Sequence, residues 1–494
     1  MGIEKSPGRK SAGKAQRDER AEKAQKKQLE KMTEEAIPSL VVKLAAPTVI
    51  SMVMTSIYTM VDTFFVSRLG TSATGAVGVA FSLMAVIQAV GFTLGMGGGS
   101  LVSRYLGEKK QKEAEETASA SFYAALAIGF FVMTLGLFLL DPLMRMLGAT
   151  PTILPYAREY ARNILFSSPF MCGALVLGNL LRSQGKTMLS MVGLGIGGLV
   201  HIGLDPVFIF VLQMGIAGAS LAMAISQALS FAILLWWFLR GKSLVNILPG
   251  RIARRVSVYW DILKTGFPSF CRHGLAGIAT AALNNSAAVY GDEAVAGVSL
   301  AGRFFMFVLS IMIGFGQGFQ PAAGYNYGAG LCGRVKQAMR FCILAGTVLL
   351  TIFGTAGFIF APQILALFRK DDPKVIEIGA FVLRAQCLTL PLQPLATITA
   401  MAFQALGRSF RAAFLSSARQ GVFFLPLIFL LPMWLGLLGV EIAQAAADFL
   451  TALICIPMLR QFFRELQKKE EAKREVTDSG GGKKIPGNPA SGEK

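Results

Sequence analysis

Apolar residues in this chain do not alternate with polar ones but gather in blocks of twenty or more, parted by short turns rich in Gly, Lys and Arg. A block of that length predicts a helix that crosses a bilayer, at ~20 residues per crossing. Twelve such segments stand near 40–66, 76–102, 117–140, 155–180, 187–212, 216–239, 260–289, 294–323, 336–361, 376–402, 411–435 and 437–459. The expected fold class is all-α, a polytopic membrane protein with 12 transmembrane helices. Residues 1–37 and 461–494 are polar, charged and poor in core-forming residues, and read as disordered tails.

The blocks repeat. A shift of 221 residues aligns Pro47 with Pro268, Gly70 with Gly291, Gly95 with Gly316, Gly97 with Gly318 and Gly107 with Gly328. Most matches are Gly or Pro, the residues that shape backbone, which makes chance a poor explanation. Each half holds six crossings, an even number, so the second half re-enters from the same side as the first. The expected domains are an N-terminal six-helix bundle at 38–239, a linker at 240–259 and a C-terminal six-helix bundle at 260–460. They are parallel repeats about a pseudo-two-fold axis along the membrane normal, the architecture of alternating-access transporters. The linker, with Leu248-Pro249-Gly250 and Arg251, Arg254 and Arg255, is expected to carry a short interfacial helix and to tether the bundles while letting them rock.

Composition adds direction. The chain is 53% hydrophobic and 16% charged, with a net charge of +19 that would by itself admit nucleic acid as a partner. Residues 1–37 and 460–494 hold 19 of the 48 Lys and Arg against 13 acids, while the loops on the side of the termini carry 17 and the opposite loops 7. That asymmetry predicts both termini in the cytoplasm and makes anionic lipid, not nucleic acid, the partner of the basic charge. No apolar stretch precedes Met32, so no cleaved signal peptide is expected. The six cysteines show no paired spacing and read as small buried hydrophobes. With only two histidines, His201 and His273 in different halves, and no metalloprotease-like motif, no catalytic residue, no metal and no cofactor is expected.

Function is sought where the repeat breaks, because a coupling group need exist only once. Asp62 falls opposite Leu283, and Asp205 near Pro426 and Leu427, so both deep acids belong to the first half. Counted at 1.5 Å per residue they lie roughly 33 and 27 Å along outward-running helices, at a similar level in the outer half of the membrane. His201, four residues before Asp205, shares its helix face, and Pro206 frees the carbonyl of Ile202. These groups read as a proton relay or small-cation site; the structural alternatives are that Asp205 caps or kinks helix 5 at its outer end and that His201 is a satisfied core histidine. In the second half Arg303 is the most deeply placed cation and is expected to find a carbonyl or carboxylate. Glu441 is expected to be solvated, whereas Asp448 needs a partner. Gly91–Gly99 and Gly314–Pro321 read as packing and hinge surfaces, since they lack the Lys-Ser/Thr ending of phosphate loops. Tyr58, Phe81, Met84 and Gln88, with Arg303, are nominated as substrate contacts.

Three stretches, Tyr58-Thr59-Met60-Val61-Asp62-Thr63-Phe64-Phe65-Val66, Leu204-Asp205-Pro206-Val207-Phe208-Ile209, and Gly316-Gln317-Gly318-Phe319-Gln320-Pro321 followed by Gly324-Tyr325-Asn326-Tyr327-Gly328-Ala329, resemble the multidrug and toxic compound extrusion (MATE) family. Within it they are similar to the DinF-like branch that includes MepA-type exporters. The resemblance implies an antiporter that expels amphipathic, often cationic, small molecules in exchange for H+ or Na+, with coupling at Asp62 and Asp205. The family's Asn is His201 here and its helix 6 Thr is replaced by Met223, which removes two oxygen ligands and favours H+. The expected protein is a monomeric, multi-pass exporter of the bacterial inner membrane, with a Na+-coupled antiporter, or a flippase or exporter of lipid-linked or amphiphilic metabolites, as the alternatives.

Overall fold

The computed structural model describes residues 22–368 and 372–478. A short helix α1 (22–34) precedes α2 (Ile37–Ser67), α3 (Thr71–Gly107), α4 (Gln111–Phe138), α5 (Leu140–Met146), α6 (Leu154–Ser183), α7 (Thr187–Pro206) and α8 (Gly215–Leu239). The second half repeats the order with α9 (Val256–Ala288), α10 (Asp292–Gly328), α11 (Cys332–Ile359), α12 (Ala361–Phe368), α13 (Pro373–Thr389), α14 (Gln393–Ala405), α15 (Ser409–Ser417), α16 (Phe424–Leu435) and α17 (Leu437–Asp478). Among the described residues, eleven spans are long and apolar enough to cross a membrane, α13 with α14 and α15 with α16 each forming one. The twelfth expected crossing, α9, has the length at 33 residues but carries Asp261, Lys264, Arg272 and a pair of Asn at 284 and 285. It packs along α3 and belongs to the same array.

The repeat is visible in the backbone. Gly70 and Gly291, at equivalent positions before α3 and α10, have φ of 110° and 102°, and Gly185 and Gly407 have 77° and 78°. These left-handed turns favour glycine, which explains why the matches between halves fall on it. Buried apolar residues form two clusters, one centred on each half. Helix α2 serves both, with Leu40 and Leu44 in the first and Ile37 and Val41 in the second.

Three expectations about the polar segments are corrected. Residues 22–34 of the presumed disordered tail are helical, because Met32 is fully buried and joins the first core. Gln28 Nε2 donates to the Gln184 carbonyl at 3.1 Å and Asn326 Nδ2 to the Met32 carbonyl at 2.9 Å, so α1 bridges both halves. The C-terminal tail is helical as far as Asp478, where Phe462 and Leu466 are buried and Glu465 bonds Arg411 at 2.9 Å. Residues 1–21 and 479–494 of the expected tails lie outside the described residues. The linker forms one turn, Pro249–Arg251, instead of an interfacial helix, and it is not a loose tether. Buried Glu115 pairs with Arg251 and accepts from Asn246 Nδ2 at 2.9 Å, while Gln111 Nε2 donates to the Leu244 carbonyl at 2.7 Å, so the linker is held on the first half.

The halves meet along a seam of glycines near the end that carries α1. A Cβ at Gly97 would stand 2.9 Å from the Gly266 nitrogen, and one at Gly318 would run into Ala45. These two contacts are related by the 221-residue shift, as are those of Gly107 with the Tyr325 carbonyl and Gly328 with the Arg104 carbonyl. The glycine runs are therefore packing surfaces that let backbones touch. No such closeness exists at Gly78, Gly277 or Gly302, which lie further toward the opposite end of their helices and would present a Cβ to no atom within 4 Å.

Candidate functional site

Helix α2 packs along α7, and this brings Asp62 against His201 and Asp205. One ligand atom from each of the three lies within 4.8 Å of the other two. Their exposures are 5%, 2% and 0%, so the cluster is buried. His201 Nε2 is 3.5 Å from Asp205 Oδ1, at the limit of contact. Among the described residues, Asp62 Oδ1, both ring nitrogens of His201 and both carboxylate oxygens of Asp205 lack a hydrogen-bond partner. Five orphaned polar atoms in one buried cluster are costly unless something else satisfies them.

Local chain geometry explains the placement. One turn of α7 separates His201 from Asp205, so both face α2. Pro206 then ends the regular helix, and Val207–Val211 continues as a π-helical turn, the widened geometry often found beside functional groups. The capping role weighed for Asp205 is not what the structure shows, since neither of its carboxylate oxygens accepts a hydrogen bond among the described residues; the helix does change geometry beside it, at Pro206. Nor is His201 a satisfied core histidine; its ring meets Tyr58 edge-on at 5.6 Å, and its nitrogens stay unpaired.

One neighbour was not nominated from sequence. Tyr160 of α6 is fully buried, its hydroxyl has no partner among the described residues, and it lies within electrostatic reach of Asp62 and Asp205. Depth counting could have found it. It stands six residues after Leu154, ~9 Å below the start of a helix that descends from the end where Asp62 lies.

The other nominated residues do not join this cluster, apart from Tyr58. Met84 is buried in the first core, Gln88 is half-buried, and Phe81 is 55% exposed. Arg303 is exposed and makes no hydrogen bond or ion pair among the described residues, so the expectation of a carbonyl or carboxylate partner is not met there. Glu441, expected to be solvated, is buried by the packing of α17 on α16. Met223 is buried in the first core. Five cysteines are buried and all six are free.

Asp448 provides a contrast. It accepts from Arg419 Nε at 2.8 Å and Gln444 Nε2 at 3.0 Å, and the Arg419 guanidinium lies 5.1 Å from the Phe305 ring centre. Its charge is balanced in place, which marks it as structural. Arg419→Ala should lower the unfolding free energy by about 3 kcal/mol, because it strands a buried carboxylate. Chemical denaturation of the purified protein against the wild type measures this.

The MatE family profile matches residues 47–207 and 275–430, one stretch in each half. The chain is 26% identical over 410 residues to the multidrug export protein MepA of Staphylococcus saprophyticus, covering 83% of this chain and 90% of that protein. It is 27% identical over 426 residues to MepA of Staphylococcus haemolyticus, covering 85% of this chain and 94% of the relative. Its fold superposes on a crystal structure of MATE in complex with MaL6 with a TM-score of 0.85 at 25% identity, over 89% of this chain and 99% of the other. A structure described as the outward-facing conformation of a multidrug resistance MATE family transporter matches with a TM-score of 0.83 at 26% identity, over 89% and 98% of the two chains. Two matched halves, full-length relatives and a shared array of membrane-spanning helices agree: this chain is a multi-pass membrane protein that belongs to the MatE family.

Proposed function

We propose that this protein exports amphipathic small molecules, often cationic, by alternating access, and that inward proton movement through Asp62, His201 and Asp205 drives the export. The observation that carries the reading is the buried triad, five of whose polar atoms have no partner and whose acids form no ion pair with Lys or Arg among the described residues. The two carboxylates of a buried pocket cannot both stay ionised without a positive charge among them. A proton is the smallest charge that meets the need, and it can be taken and given up as water gains and loses access. Drug export is the stated role of the MepA relatives. Charge asymmetry of the loops favours the end with α1 as cytoplasmic, and the glycine seam at that end then belongs to a state closed inward.

A sodium-coupled reading has one observation in its favour. The ligand atoms of Asp62, His201 and Asp205 are already spaced to hold a metal ion, and the Tyr160 hydroxyl is unpartnered among the described residues. Na+ prefers oxygen, however, and the imidazole of His201 is a poor substitute for an amide carbonyl. Proteoliposomes loaded with a fluorescent amphipathic cation separate the two. A pH step at constant Na+ should drive transport and a Na+ step at constant pH should not; the reverse pattern would sink the proton reading.

Tyr160→Phe offers a finer test. If the hydroxyl donates to whichever carboxylate is ionised, its loss should leave maximal transport near the wild-type level but move the pH profile. A profile that superposes on wild type would remove Tyr160 from the site.

A further inference from the structure

A second polar site lies on the seam between the halves, apart from the acidic triad. It is a cavity of about 20 Å³ between the later turns of α3, α6 and α10, lined by Ser100, Ser103, Asn179, Arg182, Gln317 and Gln320 among others. No carboxylate lines it. Arg182 is 3% exposed; its Nη1 donates to Gln317 Oε1 and its Nε to the Gly178 carbonyl at 3.4 Å, while Nη2 has no partner. Among the described residues it forms no ion pair. A second guanidinium stands close by, since Arg272 Nη2 contacts the sulfur of Met96, a cavity-lining residue, at 3.4 Å. Arg272 also has no carboxylate partner among the described residues, and its Nε is buried and unpaired.

Arginine stays protonated in any environment of this kind, so the cavity holds a fixed positive charge that a water molecule does not balance. Hydroxyl and amide side chains around it supply further donors. A volume of about 20 Å³ is on the scale of a single water-sized or monatomic guest. We infer that this cavity binds a monovalent inorganic anion of chloride size, held by Arg182 Nη2 and the surrounding hydroxyl and amide groups. The anion lies between helices of the first half (α3, α6) and of the second (α10). Its binding therefore favours the arrangement in which the seam is closed, because only there do all three helices line the cavity.

Two measurements on the full-length purified protein test this without relying on transport. Thermal unfolding in sodium chloride is compared with sodium gluconate at equal ionic strength. Chloride at about tenfold its dissociation constant should raise Tm by about 2 °C, saturably, and Arg182→Gln should abolish the difference. Equal Tm values in the two salts, or a chloride effect retained in the variant, would overturn the site. Since Arg182→Gln can fail to fold, crystals of the unaltered protein grown in bromide give a second reading. An anomalous peak between Arg182 and Ser103 supports the anion, while density without anomalous signal there means water and refutes it.

Discussion

Asp205→Asn should abolish uphill export while leaving the protein as stable as wild type or slightly more so. The two halves of this expectation come from one fact. Asp205 is fully buried, its oxygens accept no hydrogen bond among the described residues, and it stands against a second carboxylate and an imidazole. Removing a charge that nothing compensates relieves a desolvation cost instead of breaking a bond. An ordinary core polar residue would behave oppositely, losing stability first. For a monovalent cation exchanged one for one with a proton the membrane potential cancels, and each unit of ΔpH supports a ~tenfold substrate gradient. Wild-type vesicles should approach that gradient and Asp205→Asn vesicles should only equilibrate, with Asp62→Asn alike. Normal gradients in both variants would show that the triad does not couple transport.

Widening the glycine seam should have an effect of similar size by a different route. Gly97→Val places atoms where the Ile262 carbonyl and the Gly266 backbone already stand, and backbone in two packed helices gives way poorly. Overpacking of this kind costs about 1 to 3 kcal/mol, all of it charged to the state in which the seam is shut. The repeat supplies an internal check, for Gly318→Val meets Ala45 at the symmetry-related place and should act likewise. Gly277→Val, with no atom within 4 Å, should be nearly silent. A thiol introduced as Ser103→Cys beside Gly324 reports the state, and its labelling in solution should speed up in the two seam variants. Unchanged labelling together with normal export would mean that the seam is not a gate.

How much of this could be read from the chain depends on whether the information is local. Crossings, the duplication and the separateness of Asp62 and Asp205 need only hydropathy, spacing and a self-comparison, because a bilayer imposes one length and one polarity on every span. Resemblance to a family likewise rests on short contiguous stretches, such as the run from Gly316 to Pro321. The tails misled for a related reason. Residues 22–34 and the end of α17 are polar by composition, yet single apolar side chains, Met32 and Phe462, anchor them to a core built from distant segments.

Partnership was the part that sequence did not hold. Asp448 and Asp205 look alike as acids in apolar runs, and only packing gives the first an arginine and leaves the second without one. Arg303 and Arg182 reverse in the same way: the one that looked deep is exposed, and the one near a helix end is sealed between the halves. Tyr160 comes within electrostatic reach of the acidic cluster from a third helix, 98 residues after Asp62 in the chain. The sequence alone determined that this protein spans a membrane as a duplicated helical array and that its first half carries two unmatched acids. Which charges are balanced, which are stranded and where the halves touch was decided by tertiary structure, because burial and pairing depend on side chains brought together from helices far apart in the chain.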